Sequence, residues 1–124
     1  MRVFKTKDFA RFARSERITD ERLVEAADRA ERGLVDANPG GSPIEQRVAR
    51  QGQGARSFYR TLMAFRAASQ TVFLYGFAKS ERDNIGPDEL DFWRRVATAF
   101  LAMDATKLNA MIQAQEITEL TFND

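Results

Sequence analysis

From Ser57 to Phe77 the chain reads SFYRTLMAFRAASQTVFLYGF, two apolar runs joined by Ala67-Ala68-Ser69. In the first run Tyr59, Thr61, Met63 and Phe65 alternate with Phe58, Arg60, Leu62, Ala64 and Arg66. A period of two sends one set of side chains into a core and the other outward, which predicts a strand over 57–66. The second run, Thr71 to Phe77, is almost wholly apolar and rich in aromatic and branched residues, as in a strand covered on both faces. So short a join favours an antiparallel hairpin, because a parallel pair needs a long crossover. Ile44 to Arg50 alternates more weakly and predicts a third strand, with Ile44, Gln46 and Val48 on one side and Glu45, Arg47 and Ala49 on the other.

The flanking segments follow a helical period. Arg2 to Lys5 fits a short strand, and Thr6 caps a helix over 7–13 with Phe9, Phe12 and Ala13 on one stripe. After a polar break, Thr19 caps a second helix over 19–33, with Asp20 and Glu21 in its first turn. Leu23, Ala26, Ala27, Ala30 and Leu34 share its inner face; Gly33 weakens its end and Asn38-Pro39-Gly40-Gly41 closes it. Gly86-Pro87-Asp88-Glu89 opens a helix carrying Leu90, Trp93, Ala97, Phe100 and Leu101, and Asp104 caps another. Glu116 to Phe122 alternates, and fits an edge strand or a frayed end equally well. The expected fold is α+β: an antiparallel sheet of 44–50, 57–66 and 70–78, two N-terminal helices on one face, and C-terminal helices. At 124 residues, 1–124 is expected to form a single domain.

Composition narrows the chemistry. There is no cysteine and no histidine, which excludes disulfides, thiolate and imidazole catalysis and the usual zinc sites. No carboxylate motif argues for a metal, and no cofactor is expected. The N-terminus lacks the apolar run of a signal peptide and no segment is long enough to span a bilayer, so a cytoplasmic location without membrane contact is expected. The net charge of +1 hides an asymmetry: residues 1–66 hold 14 Lys/Arg against 9 Asp/Glu, and residues 67–124 hold 5 against 9. Segment 41–82 alone carries 7 basic and 2 acidic residues, a field suited to phosphate or simply a solvated arginine face. The loop 51–56 has neither the Lys-Ser/Thr ending of a P-loop nor dinucleotide-fold glycine spacing.

With imidazole and thiol absent, acid and base roles fall to carboxylates, lysine or tyrosine, assisted by arginine. Arg60 and Arg66 share one face of their strand, Arg47 and Arg50 come from the adjacent one, and Lys79 and Arg82 follow the end of the third. Antiparallel pairing brings Arg60 near Lys79, so a basic sheet face could hold a phosphodiester; a salt bridge to a helix carboxylate is the competing reading for Arg60. Phe58 alternates onto the face of Arg60 and is a candidate to stack on a base. Tyr59, Tyr75 and Trp93 fit core packing.

The stretches FKTKDFARFARSERI, AERGLVDANPGG, QRVARQGQG and YGFAKSERDNI, in this order, resemble RelE/HigB-like toxins of bacterial type II toxin–antitoxin systems, within the RelE/ParE superfamily. The resemblance spans nearly the whole chain. It implies a small RelE-like fold, a ribosome-dependent mRNA endoribonuclease that inhibits translation without a metal, and a cognate antitoxin, a helix-turn-helix protein. Alternatives within the superfamily are a non-catalytic or gyrase-directed protein, or a degenerate toxin retaining only antitoxin binding. Carried over by position, Arg60, Lys79 and Arg82 are the implied catalytic group, with Arg47, Arg50, Arg56, Phe58 and Arg66 on RNA. Two departures stand out. Ser57 and Phe58 replace the paired glycines common before the strand tyrosine, and no tyrosine or histidine follows Arg82 where related enzymes carry an acid or base.

Overall fold

The computed structural model describes residues 1–38, 42–50, 58–78, 81–82 and 84–120. Strand β1 (Arg2–Thr6) leads into helices α1 (Lys7–Ser15) and α2 (Asp20–Glu31). Strands β2 (Ile44–Ala49), β3 (Phe58–Arg66) and β4 (Gln70–Ala78) follow, then α3 (Pro87–Leu101), α4 (Ala105–Gln113) and a short β5 (Ile117–Glu119).

The helix starts are set locally. Thr6, Thr19 and Asp104 each accept the backbone N–H three residues on, at 3.1, 3.3 and 2.9 Å, satisfying a donor that the first turn leaves unpaired. The end of α2 falls earlier than its apolar stripe suggests. Gly33 takes φ +86°, and the N–H groups of Gly33 and Leu34 fold back on the carbonyls of Ala30 and Arg29. That reversal stops the helix at Glu31, so Leu34 leaves the buried face and is 55% exposed. Pro39 to Gly41 lie outside the described residues.

The five strands form one sheet in the order β2-β3-β4-β1-β5. β2–β3 and β3–β4 are antiparallel, as the short join requires. The sheet as a whole is mixed, because β1 runs parallel to β4 while β5 pairs antiparallel on the far side of β1. The C-terminal alternation therefore resolves as an edge strand at Ile117–Glu119. α1 and α2 cover one face, where Phe9, Leu23 and Ala26 pack with Val48, Met63 and Phe73. α3 and α4 cover part of the other, where Ala97, Phe100 and Leu108 meet Phe4, Ala64 and Val72. The α+β layering and the placement of both N-terminal helices on one face thus follow the sequence expectation.

One irregularity positions the site. Met63 pairs with Phe73 but Leu62 pairs with Tyr75, so Leu74 is an extra residue in β4. A bulge of this kind reverses the alternation beyond it. Phe73 points into the α1/α2 core, whereas Leu74 and Tyr75 both pack on the α3 side.

Among the described residues the outer edge of β2 is closed without another strand. Ala37 and Glu45 exchange backbone hydrogen bonds at 3.2 and 2.8 Å, and the Asp36 carboxylate accepts the Arg47 N–H at 2.7 Å. Buried Gln46 ties this segment to α2, accepting from the Asp36 N–H and donating to the carbonyls of Ala26 and Leu34.

Candidate functional site

The ladder registers place a group of cations and aromatics on the sheet face away from α1 and α2. Arg47 lies directly opposite Arg60 across β2–β3, and Arg60 lies opposite Phe77 across β3–β4. The Arg47 guanidinium sits 4.6 Å from the Phe58 ring centroid. Among the described residues, neither the Arg47 nor the Arg60 side chain has a hydrogen bond or ion pair. Like charges directly opposed on a sheet are unfavourable, and here no described carboxylate bridges them. A cavity of about 50 Å³ beside the two arginines is also lined by Asp36, Glu45 and Gln46. Asp36 is already engaged by Arg29, at 3.2 Å, and by the Arg47 N–H.

Arg82 is held in a different way. Its Nη2 donates to Glu89 Oε1 at 2.6 Å, and its Nη1 to Glu89 Oε2 at 3.2 Å and the Tyr75 hydroxyl at 3.0 Å. Its Nε donates to the Asn84 carbonyl at 3.1 Å. The cation lies 5.4 Å from the Phe77 ring, beside Tyr75, whose own ring stacks on Trp93 at 5.2 Å. The hydrogen bond to Glu89 raises the Arg82 pKa, with Tyr75 adding to it. Reciprocally, Arg82 holds the Glu89 carboxyl below its ordinary value, against a desolvation cost that pushes the other way. Trp93 lowers it a little further in the same direction as Arg82, although among the described residues its buried indole N–H has no hydrogen-bond partner. The first turn of α3 thus anchors Arg82 over the aromatic end of β4. Among the described residues no group of acidic side chains is arranged to hold a metal ion.

Residues 1–120 match the family model described as the RelE toxin of the RelE / RelB toxin-antitoxin system. The chain belongs to the RelE toxin family. No curated protein and no solved structure matches it. RelE-family membership makes this a toxin–antitoxin protein and implies an antitoxin partner. No described helix is long and apolar enough to cross a membrane.

The residues that the RelE resemblance singled out do not all converge. Arg47, Phe58 and Arg60 share one patch, and Arg82 reaches its Phe77 edge. Arg50 does not join them. Its guanidinium lies 5.0 Å from the ring of Tyr59, which packs in the α1/α2 core, so Arg50 turns to the opposite face. Burial raises the Tyr59 pKa, the Glu16 charge raises it further, and Arg50 partly offsets both. Arg66 shares the alternation of Arg60 but stands exposed at the hairpin end, opposite Gln70. Between the two, Ala64 is buried in the core beneath α3. Lys79 and Arg56 lie outside the described residues; the register brings Ala78, the residue before Lys79, opposite Tyr59.

Sequence reasoning missed Tyr75, Phe77 and Glu89. The bulge at Leu74 brings the first two onto the Arg60 face, and nothing in the local pattern announces it. Glu89 reads as a first-turn acid complementing the helix dipole, and its pairing with Arg82 depends on where α3 docks.

Proposed function

We propose that this RelE-family chain is a cytoplasmic, metal-independent endoribonuclease that cleaves mRNA on the ribosome and is neutralised by a cognate helix-turn-helix antitoxin. The observation that carries the reading is the opposed pair Arg47 and Arg60, which lacks a described carboxylate partner on an accessible sheet face. A phosphodiester bound there relieves their mutual repulsion, and a fork-shaped guanidinium suits its two non-bridging oxygens. Phe58, already against Arg47, offers a base an aromatic surface.

Metal-free cleavage proceeds by attack of the ribose 2′-oxygen on phosphorus. The P–O5′ bond breaks, the 2′-hydroxyl proton is lost to a base, and the leaving 5′-oxygen gains one. Arg60 neutralises charge on the pentavalent phosphorus, and Lys79, from its sequence position, assists proton transfer. Tyr75 stands in for the acid or base that related enzymes carry after Arg82 and this chain lacks: its hydroxyl accepts from Arg82, which holds it at the edge of the patch as a proton donor to the leaving oxygen. Arg82 itself is a positioning residue, since its donors are taken by Glu89, Tyr75 and Asn84.

The test is cleavage of mRNA on purified ribosomes, with folding of each variant checked by circular dichroism. Arg60→Ala, Lys79→Ala and Tyr75→Phe are each expected to lose about 10²-fold or more. Full activity in folded Arg60→Ala and Lys79→Ala rejects the site; no cleavage by the wild type rejects the enzyme. The engagement of Arg82 favours one second reading, a toxin that acts by binding, gyrase included, or that keeps only antitoxin binding. Growth arrest without new mRNA 5′ ends supports the first form, and neither arrest nor cleavage supports the second.

A further inference from the structure

Cleavage without a metal needs an acceptor for the 2′-hydroxyl proton, and neither a guanidinium nor an ammonium group has a lone pair to receive it. A carboxylate does. Around the patch, Asp36 is held by Arg29 at 3.2 Å and by the Arg47 N–H at 2.7 Å, and Glu89 is held by Arg82. Glu45 differs from both. Its backbone is fixed by hydrogen bonds to Ala37, but among the described residues its carboxylate makes no hydrogen bond or ion pair.

By the alternation of β2, Glu45 shares the face of Arg47, and the ladder sets it directly opposite Leu62. Leu62 lies in turn opposite Tyr75 on β4. Glu45, Leu62 and Tyr75 thus form one row across the sheet, beside the row of Arg47, Arg60 and Phe77. Arg60 stands on the middle strand, diagonal to Glu45 on one side and to Tyr75 on the other. Diagonal neighbours lie about 7–8 Å apart, within reach of long side chains. Adjacent strands are about 4.8 Å apart, so the two ends of the Glu45 row are separated by roughly 10 Å. Leu62, between them, is buried and offers no competing polar group. Glu45, Arg47 and Arg60 also line the same cavity of about 50 Å³.

This layout suits an in-line displacement. A phosphorus held over Arg60 has the attacking 2′-oxygen on one side and the leaving 5′-oxygen on the other, so base and acid must flank it.

We propose that Glu45 is the general base, taking the 2′-hydroxyl proton on the β2 side while Tyr75 serves the leaving oxygen on the β4 side. The inference rests on the nuclease reading above. The bond from the 2′-oxygen to phosphorus forms as P–O5′ breaks. The 2′ proton passes to the Glu45 carboxylate, and the 5′-oxygen takes the Tyr75 proton. The products are a 2′,3′-cyclic phosphate and a 5′-hydroxyl, and exchange with water restores both side chains.

Glu45→Gln keeps the size of the side chain and the backbone pairing but cannot accept that proton. On purified ribosomes the folded variant should cleave mRNA about 10²-fold or more slowly than the wild type. Its affinity for uniformly 2′-O-methylated RNA, which cannot be cleaved, should be unchanged or tighter, because a negative charge has left a phosphate site. Replacing the bridging 5′-oxygen by sulfur at the mapped cleavage position gives a leaving group that needs no proton. Tyr75→Phe should then recover, and Glu45→Gln should stay slow. A wild type that cleaves beside an unimpaired Glu45→Gln overturns this inference alone. So does weakened binding that accounts for the slow cleavage, or recovery of Glu45→Gln on the sulfur substrate. No cleavage by the wild type overturns it together with the nuclease reading.

Discussion

Arg47 and Arg60 face each other directly across the β2–β3 ladder. Two guanidinium groups in that relationship raise each other's energy unless something negative lies between them. Arg82, a few ångströms from Phe77 at the edge of the same patch, has its negative partner built in as Glu89. Among the described residues the patch thus holds one cation paired with a carboxylate and two that are not, and only the latter gain substantially from an anion.

The first prediction concerns salt. If Arg47 contacts phosphate, Arg47→Ala should lower the log–log salt slope of RNA binding by about 1. Arg50→Ala should leave it nearly unchanged, because Arg50 lies over Tyr59 on the opposite side of the sheet. Fluorescence anisotropy across a range of ionic strengths measures both. Equal slope changes would argue against a one-sided interface.

A second prediction follows from the depressed Glu89 pKa. A carboxyl whose folded pKa lies below its unfolded value stabilises the fold fully above the unfolded value. The contribution is lost as pH falls through the folded one. Urea midpoints of the wild type should therefore drop on acidification, and Glu89→Gln should lack part of that drop. Glu119, held low in the same way by Arg2, keeps a residual acid sensitivity in the variant. An identical acid limb in the two proteins would show that the Arg82–Glu89 pair adds nothing to stability.

Gln46 supports the third. It is 1% exposed, and its amide makes hydrogen bonds of 2.7, 2.9 and 3.2 Å to the Asp36 N–H and the Ala26 and Leu34 carbonyls. Gln46→Leu fits the space but strands those groups, so destabilisation of roughly 1–3 kcal/mol is expected in denaturant melts. Loosening of the 34–38 segment should also expose the β2 edge and promote aggregation.

The fourth tests the packing of α1 on β4. A Cβ at Gly76 would lie 2.5 Å from Phe12 Cε2 and 3.1 Å from Phe9 Cε2. Gly76→Ala should cost roughly 1–3 kcal/mol. Adding Phe12→Leu should recover part of that loss, whereas additive losses in the pair would place the strain elsewhere.

Much of this protein is settled within short windows of its sequence. The side chains of Thr6, Thr19 and Asp104 reach only three residues forward, so the helix starts are local facts. The join at Ala67-Ala68-Ser69 is too short for anything but a reversal, so the β3–β4 hairpin is local as well. The separation of Arg47 from Arg50 is likewise implicit in the alternation of β2. The end of α2 was also within reach, since Gly33 is the residue best able to take the left-handed turn there.

Tertiary structure decided the rest. Strict alternation would group Phe73 with Tyr75 and Phe77, but the extra residue at Leu74 reverses the parity and sends the latter two to the face of Arg60. Arg60 and Arg66 share a parity, yet α3 covers Ala64 between them, and where a helix docks is fixed by apolar surface drawn from the whole chain. The Arg82–Glu89 pair and the parallel β1–β4 pairing have the same origin, contacts between segments that meet only once the core has formed. A bulge or a docked helix is chosen by the free energy of the assembled layers, which no short stretch of sequence contains.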